Sequence, residues 1–177
     1  IPSTKPPKNL AYMGAFLPHK NVEALVKMMA YLPGRKLHLL SYISPKRKGE
    51  LTGLIPKGAE VIFHSGVSDK KYADLLSDNA IMVSASKSEG FGLPLIEAIQ
   101  LGVPAVVTAM PIFCEVAGEG ALYADPNSPK DFADKVKQLD DLKIRKKHIK
   151  AGKEHIKKYS WEHSAKVLYD SMLKLLT

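Results

Sequence analysis

The chain has 177 residues, 45% hydrophobic and 25% charged, which fits one globular domain with a substantial core and gives no sign of disorder. No apolar run reaches the ~18 residues of a membrane span, and the opening IPSTKPPKN is neither a secretory nor a transit peptide. A single cysteine, Cys114, excludes an internal disulfide and a cysteine-based zinc site and makes a reducing compartment the default.

Residues 1–8 hold three prolines and two lysines and no hydrophobic period. They read as a poorly packed linker from a preceding domain, with residues 9–177 as the folded unit; the absence of an initiator methionine fits a fragment. NLAYMGAF (9–16) reads as a first strand. LPHKN follows, then a helix in which Val22, Leu25, Val26 and Met29 recur at helical spacing, stopping near Pro33 and Gly34. KLHLLSYI (36–43) is a second strand, SPKRKGELTGLIPKG a polar loop with at most a short helix, and residues 59–63 a third strand. Ser68 is placed to cap a short helix that buries Tyr72, Leu75 and Leu76. Residues 80–85 are a fourth strand, 104–109 a fifth, 112–117 a short helix with Cys114 as a small buried residue, and 121–124 a sixth strand. Ser128 caps a helix carrying Phe132, Val136 and Leu139, and two more helices fill 144–158 and 161–176.

Six short apolar strands separated by helical segments specify an α/β fold. It is a doubly wound, Rossmann-like parallel sheet of about six strands with helices on both faces, because parallel neighbours need crossovers. With strand order 3-2-1-4-5-6 the winding reverses between the first and fourth strands, and ligands bind beyond their carboxyl ends. The loop after the first strand carries Lys20 and the loop after the fourth carries Glu89, Gly90, Phe91 and Gly92, so both meet at one crevice.

The stretch SASKSEGFGLPLIEAIQLG (84–102) concentrates the chemistry. Pro94 suits a first helical turn, and a glycine loop entering a helix N-terminus aims unpaired N–H groups at an anion. Glu89 and Glu97 flank that spot; carboxylates suit the hydroxyls of a nucleotide sugar better than its phosphates. Each residue has a blander explanation. Glu97 can be a first-turn acid on the helix dipole, worth about 0.3–1 kcal/mol, Glu89 a loop acid, and the glycines turn residues. Their joint occurrence favours a ligand site.

EGFGLPLIE resembles the signature of the family-4 retaining glycosyltransferases, two glutamates separated by seven residues. The similarity continues through GVPAVV, FCEVAGEGALYADP and YSWEHSAKVLYDSMLKLL, covering roughly residues 9–176. The resemblance implies the donor-binding half of a two-domain GT-B fold, with the acceptor-binding half absent from this chain. It implies transfer of a mannose- or glucose-type hexose from a nucleoside-diphosphate sugar to a glycan or lipid-linked acceptor with retention. It calls for no cofactor and no metal, and for a location in the cytoplasm or peripheral on the inner membrane face.

By the same resemblance the catalytic roles fall to Glu89 and Lys20. Lys20 holds the diphosphate beside Gly14, and Glu89 contacts donor-sugar hydroxyls next to Gly90. Phe91, Gly92 and Leu93 offer backbone N–H groups, Glu97 binds the ribose, and Val67 and Ser68 sit at the base. On this assignment Glu97→Gln weakens nucleotide binding, whereas Glu89→Gln lowers turnover and leaves nucleoside-diphosphate affinity almost unchanged. One departure stands out: the family often has an arginine after the first-strand glycine, where this chain has Ala15. His19 is either a partial substitute or a surface histidine. The rival readings are a catalytically silent glycosyltransferase-like partner or scaffold, and a nucleotide-sugar isomerase; the absence of GxGxxG after the first strand argues against an NAD enzyme.

The net charge of +8 admits nucleic acid, an anionic membrane or a phosphorylated small molecule as partner. Much of the excess lies in residues 142–158, LKIRKKHIKAGKEHIKK, which reads first as a solvated helix face and second as an anionic-lipid surface. Nucleic acid comes last, since no aromatic is interleaved with the lysines. The six histidines, at 19, 38, 64, 148, 155 and 163, show no metal-ligand spacing.

Overall fold

The structure, a computed structural model, describes residues 4–176. Its strands are β1 (Asn9–Met13), β2 (Lys36–Leu40), β3 (Glu60–His64), β4 (Ala80–Ser84), β5 (Ala105–Thr108) and β6 (Ala121–Ala124). They form one parallel sheet in the order β3-β2-β1-β4-β5-β6, the doubly wound order expected, with its reversal between the paired strands β1 and β4. The helices are α1 (Val22–Met28), α2 (Pro45–Thr52), α3 (Asp69–Ser77), α4 (Leu93–Leu101), α5 (Pro111–Ala117), α6 (Pro129–Gln138), α7 (Leu142–His155) and α8 (Trp161–Leu176).

The two-residue period of the strands sorts side chains into two cores. Leu10, Tyr12, Ile81, Val83 and Val106 meet Val22 and Leu25 of α1 and Phe132 and Val136 of α6. Ala11, Met82, Ala105 and Val107 meet Leu76 of α3, Leu95 and Ile99 of α4, and Phe113 and Val116 of α5. β4 is therefore buried along its whole length, which is why it reads in sequence as an unbroken apolar run. Serine caps start α2, α3 and α6. Ser44, Ser68 and Ser128 accept the N–H of Arg47, Lys71 and Asp131, each cap stabilising its helix by about 1 kcal/mol.

Five expectations change, the simplest being that β2 ends at Leu40 rather than at residue 43. β1 ends at Met13 rather than at residue 16, because the chain turns away at Gly14 and the Ala15 carbonyl is taken by the Tyr12 hydroxyl at 2.7 Å. Cys114 is exposed: Phe113, Val116 and Ala117 occupy the inward face of α5, and Cys114 sits off that stripe. Glu97 is the fifth residue of α4, not a first-turn acid. The linker expected at 1–8, whose first three residues lie outside the described ones, is tied down where it is described. The Lys5 carbonyl accepts from Asn79 and Arg145, the Pro7 carbonyl accepts from Arg35 at 2.8 Å, and Pro7 is buried.

α7 lies on the α4–α5 side of the molecule. Its Gly152 backs onto Gly120 so closely that a Cβ on Gly120 would stand 2.3 Å from the Gly152 Cα, a contact only glycine permits. His148 and His155 bond the Glu119 and Glu115 carbonyls at 2.7 and 2.8 Å. The opposite side of α7 is lysine, with like charges at i,i+4 in Lys143/Lys147 and Lys146/Lys150, each pair destabilising by about 0.2–0.5 kcal/mol. α8 packs differently from the rest: its described side chains are all exposed, with Trp161 at 83% and Leu168 at 63%.

Candidate active site

The loops that leave β1 and β4 are bonded to one another along their length. The Lys87 N–H donates to the His19 carbonyl at 2.7 Å. Asn21 donates through Nδ2 to the Ala85 carbonyl at 3.2 Å and to the Pro126 carbonyl at 2.8 Å, so one side chain joins the loops after β1, β4 and β6. Asn21 holds a left-handed backbone, φ 52°, a conformation that asparagine tolerates better than other non-glycine residues.

These links bring Lys20 and Glu89, 69 residues apart, to 2.7 Å as an ion pair whose side chains are 19% and 17% exposed. Beyond Glu89 the chain enters α4 through Gly92, whose φ is 91° and whose absent Cβ would clash with the Phe113 ring at 2.7 Å. Gly92 is thus required twice over, by conformation and by space; Gly90 faces open space and has neither need. The N–H groups of Phe91, Gly92 and Leu93 donate to no acceptor among the described residues, as befits amides at the positive end of a helix. An ammonium paired with Glu89, and three free amides two to four residues past that carboxylate, suit a multiply charged anion.

The other expected residues are spread around this point. Gly14 closes β1, its N–H on the Leu40 carbonyl at 3.3 Å. Phe91 and Leu93 are partly exposed, and the Phe91 ring stands edge-on to Tyr159 at 5.3 Å. Val67 packs against the second core, while the Ser68 hydroxyl is engaged as the α3 cap. Glu97 is exposed and belongs to no ion pair among the described residues. The His19 side chain is exposed; what the residue contributes is its carbonyl. No cluster of three His, Cys, Asp or Glu able to hold a metal occurs among the described residues.

Three residues escape the sequence reading. Asn21 had a signal, an asparagine at a helix entry, but its two distant partners have none. Tyr12 is buried, its phenol pushed up by that burial and then by the negative charges of Glu89 and Glu23, so it stays a donor to Ala15. Tyr72 is 9% exposed, and its hydroxyl has no hydrogen-bond partner among the described residues. Burial, and next the charge of Glu97, push its phenol up as well, which places a protonated hydroxyl in the field of that carboxylate.

The sheet, its reversal point and the anion-suited loop define a doubly wound α/β domain with a crevice at that point, and comparison with known proteins gives the family. The chain belongs to the group 1 glycosyl transferases, whose family model matches residues 2–155, ending before α8. It is 30% identical to the O-antigen chain mannosyltransferase B of Escherichia coli over 86% of this chain and 42% of that protein. It superposes on sucrose-phosphate synthase of Thermosynechococcus elongatus with a TM-score of 0.80 at 24% identity, covering 98% of this chain and 46% of that one. The Anabaena protein HepE, solved with UDP and glucose, gives 0.71 at 17% identity, covering 85% and 43%. The chain spans less than half the length of the curated relatives it matches.

Proposed function

We propose that this chain is the donor-binding half of a retaining hexosyltransferase that takes a mannose- or glucose-type hexose from a nucleoside diphosphate. The observation that carries this reading is the meeting of Lys20, Glu89 and the unpaired amides of residues 91–93 at the sheet's reversal point. Breaking the bond between sugar and diphosphate leaves negative charge on the diphosphate. Lys20 and the α4 N-terminus stabilise that charge as it develops, which lowers the barrier. Glu89 accepts hydrogen bonds from sugar hydroxyls and Glu97 from the ribose. Lys20 and the amides carry the positive charge in this reading, so it involves no metal.

The acceptor, a glycan or a lipid-linked sugar, belongs to a second half beyond this chain. The chain's span of under half of its relatives supports this, as does the exposed apolar side of α8. No described helix is long and apolar enough to cross a membrane; a cytoplasmic place at the inner membrane face is part of the proposal. Ala15, where an arginine would add a phosphate contact, favours a second reading, a silent glycosyltransferase-like partner. Ligand-observed NMR with UDP, GDP and ADP sugars decides between them. Saturable binding of at least one supports the donor site, and no binding at millimolar concentration would remove it.

A further inference from the structure

We propose that the lysine face of α7 docks on an anionic lipid surface. Lys143, Lys146, Lys147, Lys150 and Lys153, with Lys157 and Lys158 of the 3-10 turn that continues the helix, are all exposed. At about 100° per residue they fall within roughly 140° of arc. Glu154 is the one acid among them, and it pairs with Lys157. Lys143, Lys146, Lys147 and Lys150 make no ion pair among the described residues.

Elsewhere this chain builds its helices differently. Lys70 pairs with Asp74 in α3 and Lys130 with Asp134 in α6; α1 sets Glu23 before Lys27, and α8 sets Glu162 before Lys166 and Asp170 before Lys174. Opposite charges at i,i+4 give solubility and helix stability together, so a face needed only for solvation has no reason to abandon them. α7 sets such charges only at its end, where Lys150 precedes Glu154, and over 143–150 it retains repelling pairs, which an anionic partner relieves. The buried side of the helix is fixed by the Gly120–Gly152 contact and by His148 and His155, so the lysines project in one direction from a rigid base.

The chemistry favours lipid over nucleic acid. The exposed cations of α7 are all lysines, and its one arginine, Arg145, is buried. Lysine is a mobile point charge suited to a smeared surface potential, whereas base and phosphate recognition selects the planar arginine fork. No aromatic stands among the lysines to stack a base. Tyr159, which follows them, packs on Phe91 at 5.3 Å, so the docking face adjoins the donor crevice.

The test is co-sedimentation of the 177-residue chain with vesicles of phosphatidylcholine alone or mixed with phosphatidylglycerol. Binding is expected to the mixed vesicles only, and it falls as salt rises. Lys146→Glu with Lys150→Glu is expected to weaken it on the order of tenfold or more, with melting unchanged. Lys46→Glu with Lys57→Glu, the same charge change on α2 and the loop after it, is expected to weaken it less than about threefold. Equal binding to neutral vesicles would assign the effect to the apolar residues of α8 and overturn the proposal. Equal loss in both double variants, preference for duplex RNA or DNA over the vesicles, or no binding to either would overturn it as well.

Discussion

Lys20 and Glu89 are each other's partners at 2.7 Å, so a diphosphate that takes the ammonium competes with that carboxylate. The roles of the two glutamates therefore separate more sharply than their shared signature suggests. Glu97 is exposed and unpaired among the described residues, and its replacement should not touch folding. Glu97→Gln is expected to leave the melting temperature unchanged and to raise the nucleotide Kd roughly ten- to a hundredfold, the equivalent of a lost charged hydrogen bond of about 1.5–3 kcal/mol. Calorimetry checks both parts, and a normal Kd would take Glu97 out of the site. Asn21 is expected to behave in the opposite way. Asn21→Ala removes two hydrogen bonds and leaves a non-glycine residue at φ 52°, a destabilisation on the order of 2 kcal/mol or more by chemical denaturation. Asn21→Gly relieves the backbone strain and should recover part of that loss.

At the level of elements, β2 and β3 share a pH-sensitive contact. His38 Nδ1 and His64 Nε2 are 2.9 Å apart, the rings are stacked, and His38 Nε2 is 3.4 Å from Asn9 Oδ1. One ring must accept where the other donates, so both cannot be protonated. Burial holds both histidines below their ordinary value; His64 and Lys36 lower His38 further against the opposing pull of Glu60 and Asp78, and Lys71 lowers His64 further. The unfolded chain then binds more protons than the folded one. This contribution to stability is full above the unfolded value of about 6.5 and is lost as pH falls from there through the folded values. Denaturant midpoints are expected to drop across that window and to drop less in His64→Gln; identical profiles would contradict the assignment.

These elements also show what a sequence can convey. The six strands and the α8 bounds follow from period and punctuation, because burial on both faces of β4 and β5 writes unbroken apolar runs; the strand order is the common one for a doubly wound sheet and carries no local signal. The cap serines follow from local chemistry. Cys114 was misplaced because a seven-residue helix with a narrow apolar stripe does not show which neighbour sits off it. The partner of Glu89 and the two partners of Asn21 lie 64 to 105 residues away, and such bonds leave no local trace. The reversal of the winding places Lys20 and Glu89 in one crevice without any family; their pairing is a matter of geometry.

For the whole molecule, the winding of the sheet delivers two loops to one edge, and hydrogen bonds shared between them hold them there. Two further faces stand out on its surface, the lysine side of α7 and the apolar side of α8. The central claim is that this crevice binds a nucleoside diphosphate through Lys20. It is tested most directly by calorimetric titration of the UDP, GDP and ADP series into the unaltered chain, Lys20→Ala and Glu89→Gln. The account predicts saturable binding of at least one nucleotide, weakened tenfold or more in Lys20→Ala, on the order of one lost charged hydrogen bond. It also predicts a severalfold strengthening in Glu89→Gln, where the ammonium no longer has a competing carboxylate. The sequence alone implied no change there. Binding that is indifferent to Lys20→Ala, or that is lost in Glu89→Gln, would contradict it.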